Sequence, residues 1–116
     1  MEKLTIVPTE ENMPRLMEYM EHSLGNRPGV SEDLQEKLTI SVKEIFLNIC
    51  RVDKGEGLLI LSADLSADGV SMQFMHAGAL FNPLKAERCP YTHKHMDEIS
   101  FEFKYGRNMA TIFKHR

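Results

Sequence analysis

The sequence predicts an α+β domain: a two-layer sandwich in which helices cover one face of a mixed or antiparallel β-sheet. Three observations carry this. Apolar residues recur at helical spacing between residues 13 and 49, strand-like runs flank that stretch on both sides, and turn residues divide the later runs into two hairpins. The order is thus strand, helix, helix, hairpin, hairpin. A chain of 116 residues with 42% hydrophobic and 27% charged residues has ordinary globular composition, and residues 1–116 are read as a single domain. At this length folding buries somewhat over ~60% of the unfolded surface, enough for one core without disulfide or metal staples.

Residues 3 to 7 (KLTIV) alternate loosely and are β-branched at three positions; Pro8 ends the run. Thr9 or Asn12 offers a helix N-cap, and Pro14 is compatible only with a first turn. Met13, Leu16, Met17, Met20 and Leu24 then form one apolar stripe, with Gly25 as its C-terminal stop. The methionines on that stripe read as core rather than as an adaptable partner surface. After the loop GNRPG, Ser31 caps a second helix whose first turn carries Glu32 and Asp33 and whose inner face is Leu34, Leu38, Val42, Ile45 and Ile49. Phe46 and Leu47 widen that face, so the second helix is the more buried of the two. DKGEG, residues 53 to 57, is a turn; LLILSADL and VSMQFMH follow as strands joined at Ser66-Ala67-Asp68-Gly69. Residues 77 to 95 hold Gly78, Pro83 and Pro90 with no sustained period, a loop with one short helical turn. ISFEFKY and ATIFKHR close the chain as a hairpin around Gly106-Arg107-Asn108.

Charge and cysteine usage narrow the function. Fourteen Lys and Arg against seventeen Asp and Glu leave a net charge of −3, without the basic excess that drives nucleic-acid binding. The N-terminus lacks the apolar core of a secretion signal, and two cysteines, Cys50 and Cys89, read as reduced thiols of a cytoplasmic protein. Apolar runs such as Leu58 to Leu61 fall far short of the ~18 residues of a membrane span.

Glu44 and Asn48 stand four residues apart on the second helix and so share one side of it. A carboxylate can polarise an attacking hydroxyl, and a carboxamide beside it can hold Mg²⁺, as phosphoryl transfer requires. The same pair also occurs as a solvated acid beside a locally bonded amide. Directly after a strand, His76-Ala77-Gly78-Ala79-Leu80-Phe81-Asn82-Pro83 offers a close backbone approach at Gly78 and a turn at Asn82-Pro83. Cys89, His93 and His95, with His76, are zinc-type ligands, although C-x₃-H-x-H is not a structural zinc spacing.

Taken in order, VKEIFLNI, HAGALFNP and HMDEISFEFKYGRNMATIFK resemble the bacterial anti-sigma-factor serine/threonine kinases, which carry the histidine-kinase-like ATPase fold. The resemblance runs over nearly the whole chain. It implies Glu44 as catalytic base, Asn48 as the Mg²⁺ and cofactor ligand, and a nucleotide pocket formed by His76, Gly78, Phe81 and Asn82. It also implies a sigma factor or an anti-anti-sigma regulator as partner, and a homodimer. The chain departs from the family in two places. His76 occupies the position of the Asp that accepts the adenine amino group, and an imidazole offers at most one acceptor nitrogen. Only the glycine-free stretch LKAERCPYTHKH, residues 84 to 95, stands where the family has its lid and phosphate-cradling turn. The expectation is therefore a regulatory protein-interaction domain with a shortened lid, a non-functional ATP site and no cofactor. The alternatives are an active Mg-ATP-dependent kinase acting on an anti-anti-sigma regulator, and a domain that binds a metal or small ligand in the vacated pocket through His76, Cys89, His93 and His95.

Overall fold

The longest helical period in the sequence becomes the longest element of the fold. In the computed structural model, which describes residues 2–116, β1 (Lys3–Ile6) leads through a 3-10 turn (Glu10–Asn12) into α1 (Met13–Leu24) and then α2 (Glu32–Asp53). The hairpin β2 (Leu59–Leu65) and β3 (Gly69–Ala77) follows, then α3 (Pro90–His95) and the hairpin β4 (Glu98–Lys104) and β5 (Arg107–His115). Ser31 caps α2 as expected, its hydroxyl accepting the Leu34 N–H at 3.1 Å. Asn12 precedes α1 but does not cap it; its amide reaches back to the Val7 carbonyl at 2.7 Å. Gly25 ends α1 in an extended conformation, and the left-handed residue after the helix is Asn26, at φ 57°.

All five strands pair antiparallel, in the order β1-β2-β3-β5-β4, so the mixed sheet allowed by the sequence reading is not formed. The reason lies in the connections. Each hairpin reverses direction, and the long excursion through α1 and α2 returns β2 alongside β1 in the opposite sense. Register separates the faces. Leu59, Leu61 and Ala63 of β2, Val70, Met72 and Phe74 of β3, and Ala110 and Ile112 of β5 point to the helix side and are buried. They form one core with Leu16, Met20 and Leu24 of α1 and Leu34, Leu38, Val42, Ile45, Phe46 and Ile49 of α2. Met13 and Met17 pack at its margin. The core extends beyond the two main helices: Leu84, Cys89 and Met96, on the segment between β3 and β4, belong to it. The Cα radius of gyration, 13.2 Å, is what one domain of this length requires. Among the described residues no helix is long and apolar enough to cross a membrane.

Candidate functional site

The residues singled out in the sequence fall into two groups, one on the side of α2 that faces residues 83–92 and one at the end of the sheet. Glu44 and Asn48 lie one turn apart on α2, facing residues 83–92. Asn48 is 4% exposed, and its amide NH₂ donates to the carbonyls of Pro83 (3.1 Å) and Arg88 (2.9 Å). Two carbonyls on one side of the amide fix which atom is nitrogen. Glu44 accepts from the N–H groups of Tyr91 (3.2 Å) and Thr92 (2.9 Å) and from the Thr92 hydroxyl (2.8 Å). Its carboxylate therefore caps the first turn of α3, where unpaired N–H groups favour an anion. Together the pair binds the 83–92 segment along α2 as a strap. Leu84, Cys89 and Thr92 of the strap, and Met96 just after it, are buried, so the strap is part of the core.

At the end of the sheet, His76 is buried and its Nε2 lies 2.6 Å from Asp53 Oδ1. Asp53 Oδ2 accepts the Gly57 N–H at 2.9 Å. Burial pushes the Asp53 carboxyl up, but the Gly57 N–H, the His76 ring and the Glu56 N–H outweigh it and hold the group below its usual value. The carboxylate takes the Nε2–H; in the neutral ring Nδ1 then keeps its lone pair, buried and without a partner. The pair ties the last turn of α2 to the last residues of β3. Gly57 makes it possible, because a Cβ there would stand 2.6 Å from Asp53 Oδ1.

The turn after β3 is pinned by Asn108. Its Oδ1 accepts the Phe81 N–H at 2.8 Å, and its amide donates to the His76 and Ala79 carbonyls at 3.2 and 2.9 Å. Asn82 closes a local turn by accepting the Leu84 N–H at 2.8 Å. The Arg88 guanidinium sits over the Phe81 ring, 4.9 Å from its centre. Gly78, at φ 138°, faces open space and donates its N–H to the Gly106 carbonyl at 3.0 Å.

Three of these roles were missed in the sequence: Asp53, read as a turn residue; Asn108, read as part of a hairpin tip; and Thr92. One of them left a signal. Asp53 stands four residues beyond Ile49, on the stripe of Leu38, Val42, Ile45 and Ile49, and an acid at a core position needs a buried partner. The metal grouping is not assembled. His93 and His95 stand two residues apart on the helix α3, so they do not share a face. His93 Nε2 meets the Leu84 carbonyl, His95 stacks on Tyr91, and the Cys89 thiol donates to the Lys85 carbonyl at 3.4 Å. Among the described residues no three His, Cys, Asp or Glu side chains converge as metal ligands. Comparison of the chain with protein-family models and with curated proteins finds no match.

Proposed function

We propose that this chain is a regulatory protein-interaction domain of the anti-sigma-factor kinase type, with a histidine-kinase-like fold and an ATP site that no longer functions. One observation carries the reading. Glu44 and Asn48, which the resemblance makes base and Mg²⁺ ligand, are both engaged by the chain's own strap. A general base has to reach the proton it removes, and this carboxylate already accepts three hydrogen bonds from α3. Nucleotide seated against α2 would have to displace Leu84, Cys89 and Met96 from the core as well as break these bonds. His76, at the adenine-reading position, is already bonded to Asp53. The partner class implied by the resemblance is a sigma factor or an anti-anti-sigma regulator, met in the cytoplasm.

Calorimetric titration with ATP and ADP, each with Mg²⁺ and up to millimolar ligand, tests this on protein shown to melt cooperatively. No binding heat is expected, and no phosphate transfer to Ser or Thr of an added acceptor protein. Micromolar binding that disappears in a folded Asn48→Ala variant would overturn the reading in favour of a working Mg-ATP kinase.

A further inference from the structure

The sheet has two edges, β1 and β4, and they differ. β1 is four residues long, begins at Lys3 and is soon followed by Pro8, features that discourage a further strand. β4 runs for seven residues, EISFEFK, without proline. It pairs with β5 on one side, and among the described residues no strand covers the other, so alternate N–H and C=O groups point out of the sheet. Its side chains are sorted by face. Ile99, Phe101 and Phe103 stand opposite Ile112, Ala110 and Asn108, three buried residues of β5, and therefore lie on the helix side. Ile99 and Phe101 pack at the margin of the core, whereas Phe103 is 41% exposed. Glu98, Ser100, Glu102 and Lys104 lie on the outer face and are all exposed. Among the described residues none of these three charges forms an ion pair within the chain.

An open edge of this kind is a template for another strand, and the sequence of β4 is complementary to itself. A two-fold axis through Phe101, perpendicular to the sheet, sets two copies of β4 antiparallel. Glu98 then stands opposite Lys104 of the second copy, Ile99 opposite Phe103 of the second copy, and Phe101 opposite Phe101 of the second copy. Ser100 meets Glu102 of the second copy, where its hydroxyl can donate to the carboxylate. The full length of the strand thus pairs with opposite charges facing at both ends, apolar residues facing along the helix side, and no like charges directly opposed. Neighbouring registers lose this. Moving the axis to Ser100 puts Glu98 opposite Glu102 of the second copy, and moving it to Glu102 puts that carboxylate opposite its own counterpart. A one-residue slip turns the apolar row of the second copy to the outer face.

We propose that β4 is a dimerisation edge: it pairs with β4 of a second copy about a two-fold axis at Phe101 and joins the two five-stranded sheets into one. Phe103, the exposed member of the apolar row, is covered by Ile99 of the second copy. The inference rests on this edge alone and goes beyond the reading of the ATP site, which does not involve β4.

Sedimentation equilibrium from micromolar to millimolar protein tests it. The wild type should show a concentration-dependent dimer, with amide-exchange protection in residues 99–103 that rises with concentration. Two exposed charges make the register testable without touching the core. Glu98→Lys alone, and Lys104→Glu alone, each create like-charge pairs at both ends of the paired strands. Each should weaken dimerisation at least about tenfold at low salt and less at high salt, with circular dichroism confirming the fold. An equimolar mixture of the two variants places Lys opposite Glu at both ends again and should dimerise as the wild type does. A protein that stays monomeric throughout, a dimer indifferent to the single variants, a mixture that does not recover, or protection at residues outside β4 would each overturn the proposal. The nucleotide titration is independent: ATP binding refutes the non-functional site and leaves the edge as it is, whereas a monomer with silent nucleotide refutes the edge alone.

Discussion

Asp53 shows what one acid on an apolar stripe has to satisfy. Its two oxygens take the His76 Nε2–H and the Gly57 N–H, and these bonds hold the carboxyl below its usual range against the opposing effect of burial. Removing it strands a buried imidazole and an N–H, so Asp53→Ala should cost about 1.5–3 kcal/mol at neutral pH, read from urea midpoints. The sign of the pH dependence follows from the depressed folded value. The contribution is complete above the unfolded carboxyl value of about 3.9 and is lost as pH falls through the folded one. The gap between wild type and Asp53→Ala should therefore narrow below about pH 4; a gap that stays constant into acid would show that the charge is not what stabilises the pair. The cysteines make a second case. Burial, followed by the charge of Glu44, raises the Cys89 thiol to about 11, and burial followed by Glu10 raises Cys50 to about 11. With about one thiol in a thousand ionised at pH 8, both should react slowly with an aromatic disulfide in the native protein and rapidly after unfolding. Rapid native labelling of either would contradict that environment.

The regular elements were legible in the sequence because each carries its own period or punctuation. The stripe from Leu34 to Ile49, the Ser31 cap and the β2–β3 turn reappear where the sequence placed them, whereas the β4–β5 turn falls at Tyr105-Gly106 and leaves Arg107 and Asn108 inside β5. The strap was not legible in that sense. Residues 83–92 owe their place to Asn48 and Glu44, some 35 to 48 positions away, and no local pattern announces a bond between a helix side chain and a distant carbonyl. The Glu44-Asn48 spacing was visible, but whether it serves chemistry or holds a segment depends on what lies opposite. Pairing sense was hidden for a similar reason, since a strand's period states which face is buried and leaves its neighbour's direction open. The capping role has a direct test. A six-residue helix such as α3 cannot persist without tertiary support, so Glu44→Ala should cost about 0.5–2 kcal/mol. Amide exchange should accelerate at Tyr91 and Thr92 while β3 and β5 keep their protection. Unchanged exchange at those two amides would show that Glu44 is not the cap.

At the scale of the molecule, one question is whether the strap is a lid on the domain or a piece of its core. A lid in this position would be held by surface polar contacts and would open before the domain unfolds. Leu84, Cys89 and Met96 instead share one buried cluster with α1, α2 and the sheet, and Thr92 is fully buried against Glu44. Stripping the strap would expose those side chains together and leave the amide of Asn48 without its two carbonyl partners. The strap should then unfold only with everything else. The chain has no tryptophan, so Tyr91→Trp introduces one reporter at α3, where the native ring stacks on His95 in a half-buried position. In urea, tryptophan fluorescence and far-ultraviolet circular dichroism should give coincident transitions, the signature of a two-state domain. Adding Asn48→Ala removes the central attachment, and the fluorescence transition should then move to lower urea than the dichroism. A reporter that melts first in the parent protein would make the strap a mobile lid; coincidence in the parent and separation in the variant fix Asn48 as the residue that holds the strap in the core.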